Sequence, residues 1–255
     1  MEGGVSARGL STDLRTGLAF CTRLPFVSGA ATGSEVARAS WTFPVVGAVI
    51  GLIGALAYWL GDKMGLPPFV AATLAVAATM LATGCLHEDG LADTVDGFGG
   101  GGTAERKLEI MRDSRIGTYG ASALILSLML RAGAIASLAE PHLVMSALFA
   151  AHAGARATLP VFMRRAPLAR PDGLSAGAGR PPSGTPTIAV LLGLVALLIG
   201  LGFGGALIAA SLLVLGVGLL AWIAIRQVGG QTGDVLGAVE QAGEILILLV
   251  AASWL

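Results

Sequence analysis

The stretch FVAATLAVAATMLATGCLHEDGLADTVDG, residues 69–97, decides the fold because an apolar run ends in a dense group of carboxylates. Its first eighteen residues carry no charge, whereas Glu88, Asp89, Asp93 and Asp96 fall within nine residues. On a helix, the three aspartates are spaced i, i+4 and i+7 and share one face. Like charges at this spacing repel each other unless a cation neutralises them. The pattern therefore predicts that Asp89, Asp93 and Asp96 bind a hard divalent ion, Mg²⁺, together with phosphates of a substrate.

The composition is that of a polytopic membrane protein. Of the 255 residues, 55% are hydrophobic and only 13% are charged, and the mean hydropathy is +0.79. These values exclude a soluble domain with one large core. The two cysteines, Cys21 and Cys85, are far apart in the chain and fit neither a disulfide framework nor a zinc site. Residues 1–25 lack the continuous apolar core of a cleavable signal peptide.

Apolar runs of about 20 residues are long enough to cross the ~30 Å hydrocarbon core of a bilayer. We therefore predict an all-α fold, a polytopic integral membrane helical bundle with about seven spans. The fifth span is short, and a glycine-rich break at 202–205 separates it from the sixth. The predicted spans cover residues 42–61, 69–87, 118–138, 142–161, 187–201, 206–225 and 235–255.

The basic residues predict the orientation, because loops rich in Lys and Arg stay in the cytoplasm. With seven spans and a cytoplasmic N-terminus, thirteen of the sixteen basic residues fall on the cytoplasmic side. Only Lys63 then lies in an outside loop, while Arg131 and Arg156 lie within spans. The thirteen are Arg8, Arg15, Arg23, Arg38, Arg106, Lys107, Arg112, Arg115, Arg164, Arg165, Arg170, Arg180 and Arg226.

Residues 1–255 are predicted to form a single membrane-embedded catalytic domain whose long segments face the cytoplasm. Segment 1–41 is expected to lie at the cytoplasmic interface, because Leu10, Leu14 and Leu18 recur every four residues among polar ones. Segment 88–117 is expected to be an acidic active-site loop. Segment 162–186, rich in Pro, Gly and Ser, is expected to be a flexible cytoplasmic loop.

Three arginines follow the acidic motif and its glycine run, where the backbone is free to turn and approach a phosphate. Arg106, Arg112 and Arg115 are the groups expected around a diphosphate, because guanidinium groups match phosphate oxygens. The alternative is that they only satisfy the positive-inside rule.

A second constellation lies at the cytoplasmic end of the last span, in residues 229–238. Asp234 there is interpreted in two ways: it completes a metal site or orients a hydroxyl nucleophile, or it only favours a helix N-terminus through the dipole. His152 and Arg156 are spaced i and i+4 within the fourth span. An ionisable pair inside a span faces the bundle interior or a polar cavity, so Arg156 is also a candidate for substrate binding.

Five segments occur in an order that is typical of one enzyme family. They are FCTRLP (20–25), TFPVVG (42–47), HEDGLADTVDG (87–97), EIMRDSRIG (109–117) and GGQTGDVLG (229–237). Together they resemble the cobalamin synthase family, the adenosylcobinamide-GDP ribazoletransferases, over nearly the whole chain. Asp89, Asp93 and Asp96 match the family pattern. Glu88 stands where some members have leucine, which leaves open whether it is a metal ligand.

The resemblance implies the last assembly step of the cobalamin nucleotide loop. The 3′-hydroxyl of α-ribazole, or of its 5′-phosphate, attacks the cobinamide-linked phosphorus of adenosylcobinamide-GDP, and GMP leaves. The product is adenosylcobalamin or its 5′-phosphate, and Mg²⁺ is the expected cofactor. Within the matching segments we expect Asp96, Asp113 and Asp234 to be catalytic, and Gly230 and Thr232 to bind substrate beside the arginines.

The resemblance also implies a multi-pass protein of the bacterial inner membrane whose active site faces the cytoplasm. The expected partners are the two substrates and the lipid bilayer, with no nucleic acid. A homo-oligomer, or association with other enzymes of the corrinoid pathway, stays open.

Three other functions compete with this interpretation. Residues 93–97 are similar to the opening of the CDP-alcohol phosphotransferase motif, so a transferase acting on a lipid is an alternative, although Gly100 and Gly101 replace its Ala-Arg pair. A membrane prenyltransferase would need a second Asp-rich cluster, and residues 229–238 hold one Asp. A cation-coupled transporter would place its carboxylates near the midplane, whereas these lie at the predicted cytoplasmic boundary.

Overall fold

The computed structural model describes residues 7–24 and 33–255, and these residues form an all-helical fold. They contain no β-strand, only an isolated bridge between Leu168 and Gln231, so the predicted all-α class is confirmed. A short 3-10 turn, Ser40–Thr42, joins the second and third helices. The helices are α1 (Ala7–Cys21), α2 (Gly33–Ala39), α3 (Phe43–Lys63), α4 (Pro68–Thr83), α5 (Leu86–Gly100), α6 (Ala104–Ile110), α7 (Thr118–Leu138), α8 (Pro141–Arg165), α9 (Leu174–Ala178), α10 (Gly184–Val228) and α11 (Gly233–Trp254).

Helix α8 forms the centre of the bundle and packs against α3, α10 and α11. Small residues make this packing close, because membrane helices approach each other where glycine and alanine replace larger side chains. Gly47 and Gly51 of α3 lie directly against the backbone of α8 at His152 and Leu148. The core of the bundle is therefore held by backbone-to-backbone contact as much as by large apolar side chains.

The predicted span 69–87 is broken near its end. Helix α4 stops at Thr83, and α5 starts at Leu86 with its axis turned by 91°. Two consecutive residues make the turn in the left-handed region, Gly84 at φ 65° and Cys85 at φ 57°. Glycine adopts this conformation freely, whereas a non-glycine residue there is uncommon. The acidic motif therefore lies on a separate helix that leaves the direction of α4.

Helix α10 consists of two legs that fold back on each other. Gly202, at φ 66° and ψ −178°, interrupts the helical geometry. Leu197 before the break packs against Gly154 of α8, and Leu213 after it packs against Gly243 of α11, which itself lies against the neighbouring Ala155 of α8. A straight helix would separate these leucines by about 24 Å at 1.5 Å per residue. The chain therefore reverses at Gly202, in the glycine-rich break between the predicted spans 187–201 and 206–225.

Four helical segments of the described chain are long and apolar enough to cross a membrane, or five when the bent pair α4–α5 counts as one span. A membrane-embedded helical bundle is consistent with this result, while the count of seven spans and the cytoplasmic N-terminus stay predictions. Helix α8 is not among the four because it is rich in small residues and carries His152 and Arg156 at the centre of the bundle. The four segments are Gly33–Lys63, Thr118–Leu138, Gly184–Val228 and Gly233–Trp254.

The segments outside these helices are more ordered than the sequence predicts. The 88–117 segment, predicted as a loop, contains most of α5 and all of α6. The 162–186 segment begins with the last turn of α8, includes α9 and ends in the first turn of α10. Residues 7–21 of the interfacial segment form α1, with Leu10 and Leu14 exposed and Asp13 buried. Residues 33–39 of the same segment form α2, whereas residues 1–6 and 25–32 lie outside the described residues.

Candidate functional site

The acidic face of α5 lies against the start of α11, and two glycines make the contact possible. A β-carbon at Gly90 would lie 2.8 Å from the carbonyl oxygen of Asp234 and 3.1 Å from the Cα of Gly237. A β-carbon at Gly237 would likewise lie 3.0 Å from the Cα of Gly90. The two helices therefore cross at a distance that only glycine permits. The crossing brings Asp234, predicted from a separate segment, beside the acidic motif.

Three carboxylates surround this crossing. Asp89 is exposed, and Asp93 and Asp234 are half-buried. Asp93 lies within electrostatic range of Asp89 and Asp234, and of Asp96 one turn further along α5. The helical spacing that the sequence predicts for the aspartates is thus present in the structure, and Asp234 joins them from α11.

Asp96 has a different environment from the other aspartates of the motif. It is buried, and its two carboxylate oxygens accept hydrogen bonds from the backbone N–H groups of Gly117, at 2.7 Å, and Gly120, at 2.8 Å. These donors belong to the N-terminus of α7, which a carboxylate stabilises by capping free N–H groups and by its charge. Asp96 therefore ties α5 to α7, and its predicted metal and catalytic roles would have to share the carboxylate with this cap.

The carboxylates at the crossing suit a Mg²⁺ ion that keeps part of its water shell better than an ion enclosed entirely by protein ligands. In the described part of the chain, ligand atoms of three acidic, histidine or cysteine residues come within 4.8 Å of one another at one place only, and that place does not include Asp89, Asp93 or Asp234. Magnesium, however, keeps several waters and binds through one or two carboxylates and the phosphates of its substrate. Hard oxygen donors that are partly exposed and mutually repelling fit such an ion.

The segment that follows α8 places an arginine side chain over the crossing. Arg170 lies 3.4 Å from a carboxylate oxygen of Asp234 and is also close enough to Asp93 to interact electrostatically. One guanidinium nitrogen of Arg170, Nη1, is buried and has no hydrogen-bond partner. From the sequence alone, Arg170 is only one of the thirteen basic residues predicted on the cytoplasmic side. No motif identified it, because its role depends on how the segment folds back onto α11.

The segment is fixed to α11 by Gln231. The side-chain amide of Gln231 donates to the carbonyl oxygens of Met163 and Ala166, at 2.9 and 3.0 Å, and its side-chain oxygen accepts from Ser175 at 3.1 Å. Its backbone also pairs with Pro167 and Ala169. Gln231 was not among the predicted site residues. Its position inside the matching segment 229–237 was the one signal in the sequence that pointed to it.

Two predicted substrate-binding residues support this arrangement. Gly230, at φ 157°, packs against the carbonyl group of Pro167 where a side chain would collide. Thr232 is buried and caps α11: its hydroxyl oxygen accepts a hydrogen bond from the N–H of Val235 at 3.2 Å and its O–H donates to Asp234 at 3.1 Å. Both residues therefore set the position of Asp234 and of the overlying segment.

The predicted arginines after the acidic motif are all exposed and paired with acidic residues. Arg106 contacts Glu109 at 2.9 Å, and Arg112 holds both oxygens of Asp172 at 2.6 Å. Arg115 binds Asp113, and these hydrogen bonds lower the pKa of the Asp113 carboxyl to about 2. Arg112 thus connects the segment after the acidic motif to the segment that carries Arg170.

Behind the crossing lies a buried network of charged residues. Arg131 of α7 contacts Glu88 at 2.9 Å and Glu244 at 2.8 Å. Glu88 is buried and points away from the solvent-facing Asp89. Gln241 accepts a hydrogen bond from Arg131 at 2.8 Å and so extends the network along α11. Glu88 therefore contributes its carboxylate to an ion pair with an arginine in the interior.

Arg156, predicted to bind substrate, lies inside the same network. It contacts Glu240 at 2.5 Å and is buried beside His152. His152, Glu240 and Glu244 are the one group of three potential metal ligands noted above. Their carboxylates are already neutralised by the two buried arginines, and all three residues are almost completely enclosed. This group is therefore better suited to holding α7, α8 and α11 together than to binding a metal that must contact a substrate.

Comparison with known proteins agrees with the resemblance found in the motifs. The model of the cobalamin-5-phosphate synthase family matches residues 13–252. A protein of Bradyrhizobium diazoefficiens named adenosylcobinamide-GDP ribazoletransferase is 57% identical over 255 residues, which cover 100% of this chain and 98% of that protein. Proteins of the same name from Mesorhizobium japonicum and Azorhizobium caulinodans are 48% and 44% identical, over 97% and 93% of this chain and 95% and 94% of theirs.

No solved structure gives a significant match to this chain. The family model, however, covers nearly all of the described residues, including the acidic motif on α5 and the crossing with α11. The chain therefore belongs to the cobalamin-5-phosphate synthase family.

Proposed function

We propose that this protein is an adenosylcobinamide-GDP ribazoletransferase that completes cobalamin synthesis at a site between α5 and α11. The observation that carries the proposal is the glycine crossing, which brings Asp89 and Asp93 on one helix together with Asp234 on another. In a chain of this family, carboxylates that converge at an open surface suit a reaction at a diphosphate.

The reaction exchanges one phosphorus–oxygen bond for another. The 3′-hydroxyl oxygen of α-ribazole, or of its 5′-phosphate, bonds to the cobinamide-linked phosphorus of adenosylcobinamide-GDP. The bond from that phosphorus to the oxygen that bridges to GMP breaks, and GMP leaves with the bonding electrons. The hydroxyl proton passes to a base, so that the product is the phosphodiester of adenosylcobalamin or of its 5′-phosphate.

Asp89 and Asp93 are the residues that would hold Mg²⁺, because Asp89 is exposed, Asp93 is half-buried, and neither forms a salt bridge with Lys or Arg among the described residues. The ion would neutralise the diphosphate charge and align the attack with the leaving group. Asp234 already accepts a hydrogen bond from the Thr232 hydroxyl. The same carboxylate is therefore placed to orient the attacking hydroxyl and take its proton.

The diphosphate would be held by arginines of the overlying segments. Arg170 lies at the carboxylates with a buried Nη1 that has no hydrogen-bond partner. Arg112 donates from one guanidinium nitrogen, Nη2, to both oxygens of the exposed Asp172, and its guanidinium group matches phosphate oxygens equally well. Substrate binding would exchange Asp234 and Asp172 for phosphate oxygens as partners of these guanidinium groups. Arg106 and Arg115, exposed and close by in sequence, would add charge at the rim.

We further propose that this surface faces the cytoplasm of a bacterium, with the N-terminus on the same side. The support is the distribution of basic residues, thirteen on one side and Lys63 on the other. GMP and the nucleotide-activated corrinoid would then exchange directly with the cytoplasm. The long apolar helices around α8 would span the membrane.

The function is tested with purified protein in detergent or vesicles, supplied with adenosylcobinamide-GDP, α-ribazole and Mg²⁺. We expect equal amounts of GMP and adenosylcobalamin, separated by chromatography, and no GMP without α-ribazole. A parallel assay supplies a CDP-linked lipid precursor and an alcohol. Turnover of the lipid precursor without release of GMP from the corrinoid would instead support the lipid phosphotransferase alternative.

A further inference from the structure

A second cavity system lies away from the acidic site, between α8 and the two legs of α10. The main cavity has a volume of about 370 Å³ and is lined almost entirely by apolar residues, with Arg165 as its one charged residue. Leu194 and Leu197 come from the first leg, and Leu213 and Val217 from the second. None of the residues assigned to the acidic site lines it.

The length of this cavity matches one leaflet of a bilayer. Its wall on α8 runs from Gly154 to Arg165, twelve residues whose ends lie about 16 Å apart at a rise of 1.5 Å per residue. That is about half of the ~30 Å hydrocarbon core. The cavity ends on the side of the molecule where the segment after α8 meets Asp234. In a bilayer spanned by these helices, the cavity would extend through the leaflet that borders the acidic site.

The mouth of the cavity is basic and polar. An adjoining cavity of about 290 Å³ shares Val161, Arg165 and Val190 with the first and adds Arg164, Ser183 and Thr187. Arg165 is exposed and has no hydrogen-bond or ion-pair partner among the described residues. No acidic residue of the described ranges, 7–24 and 33–255, lines either cavity.

The start of α10 adds to the positive character of this mouth. Ser183, which precedes the helix, makes no side-chain cap hydrogen bond and is exposed, so its hydroxyl is available. The N-terminus of a long helix carries a partial positive charge that favours anions. Arg164 fixes the same region by donating to the carbonyl oxygen of Pro181 at 2.7 Å.

We propose that these joined cavities hold one anionic phospholipid. An acyl chain would lie between α8 and the legs of α10, and the phosphate would bind Arg165, Arg164 and the start of α10. Because no carboxylate among the described residues lines the mouth, the positive group of a zwitterionic headgroup finds no acidic partner there, whereas an anionic headgroup meets two arginines. The lipid would bridge the two helices that carry the ends of the 166–183 segment, and so support Arg170 over the acidic site.

Lipid binding is measured on the purified, delipidated full chain through its thermal unfolding midpoint. Dioleoylphosphatidylglycerol is titrated, with dioleoylphosphatidylcholine and glycerol 3-phosphate as comparisons. We expect a saturable rise in the midpoint with phosphatidylglycerol, a weaker effect of phosphatidylcholine and none of glycerol 3-phosphate. Equal effects of the two lipids, or an effect of glycerol 3-phosphate as large as that of the anionic lipid, would overturn the proposal.

Variants of the two ends of the cavity sharpen the test. Arg165→Gln is expected to raise the half-saturating phosphatidylglycerol concentration about fivefold, the effect of one basic residue near an anionic headgroup. Gly218→Leu, at a position where an added β-carbon meets no other atom, fills the apolar cavity and is expected to abolish the lipid response.

The matched controls are Arg226→Gln, another exposed arginine, and Gly133→Leu, an exposed glycine on α7 with equal free space. Both are expected to keep the wild-type response. If Gly218→Leu does not fold, Arg165→Gln still decides the question, because its side chain is exposed and unpaired. An unchanged phosphatidylglycerol response in Arg165→Gln would refute the anionic site.

Discussion

Four of the five aspartates in the matching segments divide into two roles at the scale of single residues. Asp89, Asp93 and Asp234 leave oxygen atoms accessible at the helix crossing, whereas Asp96 uses both oxygens to cap α7. Like-charged carboxylates at such a crossing are unfavourable without a cation. The fold nevertheless brings these carboxylates together, and such an unfavourable grouping of charges is typical of a functional site.

Substitution of the accessible carboxylates tests their roles. We expect Asp89→Asn, Asp93→Asn and Asp234→Asn each to lower GMP release at least ~100-fold, the size of effect of losing a charge-stabilising group. The variants should still insert in the membrane, because these side chains make few contacts in the interior. The measurement is the rate of GMP release at saturating Mg²⁺. The control is Asp62→Asn, at the C-terminal end of α3. Wild-type rates for all three variants in the presence of EDTA would eliminate the metal site.

The arginines above the crossing are tested by a change that keeps their charge. Lysine cannot reproduce a planar two-point contact with a phosphate. We therefore expect Arg112→Lys and Arg170→Lys to lower kcat/KM for adenosylcobinamide-GDP by at least about tenfold, while Arg15→Lys on α1 leaves it unchanged. If all three variants matched the wild type, these arginines would serve membrane topology alone.

Asp113 differs from the other candidates because its charge is fixed. Hydrogen bonds from Arg115 hold the pKa of the Asp113 carboxyl at about 2, so the group stays ionised down to that pH and cannot titrate near neutrality. We expect Asp113→Asn to leave the shape of the pH–rate profile unchanged between about pH 5 and pH 8. A shift of the acidic limb of that profile in Asp113→Asn would assign a proton-transfer role to this residue after all.

At the scale of helices, the site depends on where α5 is directed. The left-handed pair Gly84 and Cys85 turns α5 by 91° from α4, and the glycine crossing then seats it on α11. The buried arginine–glutamate network holds α7, α8 and α11 behind it. Removing one partner of a buried ion pair leaves an uncompensated charge, so this network is expected to tolerate change poorly.

The crossing itself is tested by adding a single methyl group. In Gly90→Ala the new β-carbon would lie 2.8 Å from backbone of α11, so the helices must move apart. We expect a loss of about 1–3 kcal/mol in stability, typical of overpacking, and a loss of GMP release larger than the fall in folded protein. Thermal unfolding in detergent and the GMP assay measure the two effects.

Gly102→Ala is the matched control, since a β-carbon there meets no other atom. It is expected to keep both stability and activity. Unchanged activity in folded Gly90→Ala would show that the separation of Asp234 from α5 does not matter to the reaction.

At the scale of the whole molecule, the sequence predicts helices better than it predicts their relative directions. The apolar run 118–138 coincides with α7, and the i, i+4, i+7 spacing correctly places the aspartates on one helix. The break after α4 was missed because cysteine rarely adopts the left-handed conformation, so Cys85 carries no turn signal.

The site could be predicted only in part, because the relative directions of the helices decide which residues meet there. Asp234 was a candidate from its segment, but its position against Gly90 follows from the crossing, which no spacing rule encodes. Arg170 and Gln231 act through a segment that folds back over α11, so only tertiary structure identifies them. Arg156, by contrast, was correctly expected to face the interior, where it binds Glu240.

The predicted orientation is tested with single cysteines in a background that lacks Cys21 and Cys85. Burial raises the pKa of the Cys21 thiol to about 12, so even the native residue should react slowly. Cysteines at positions 105 and 172 are expected to react with an impermeant maleimide only in opened membranes, and a cysteine at position 63 in intact cells. Labelling of position 105 or 172 in intact cells would overturn the cytoplasmic orientation.

We propose that a catalytic Mg²⁺ binds between α5 and α11 and not in the buried group of His152, Glu240 and Glu244. Electron paramagnetic resonance of Mn²⁺, which accepts the oxygen ligands of Mg²⁺, reports binding directly. With adenosylcobinamide-GDP present, we predict a bound Mn²⁺ signal in the wild type and in folded Glu244→Gln, and its loss in Asp93→Asn. A signal that persists in Asp93→Asn and disappears in Glu244→Gln would contradict the account.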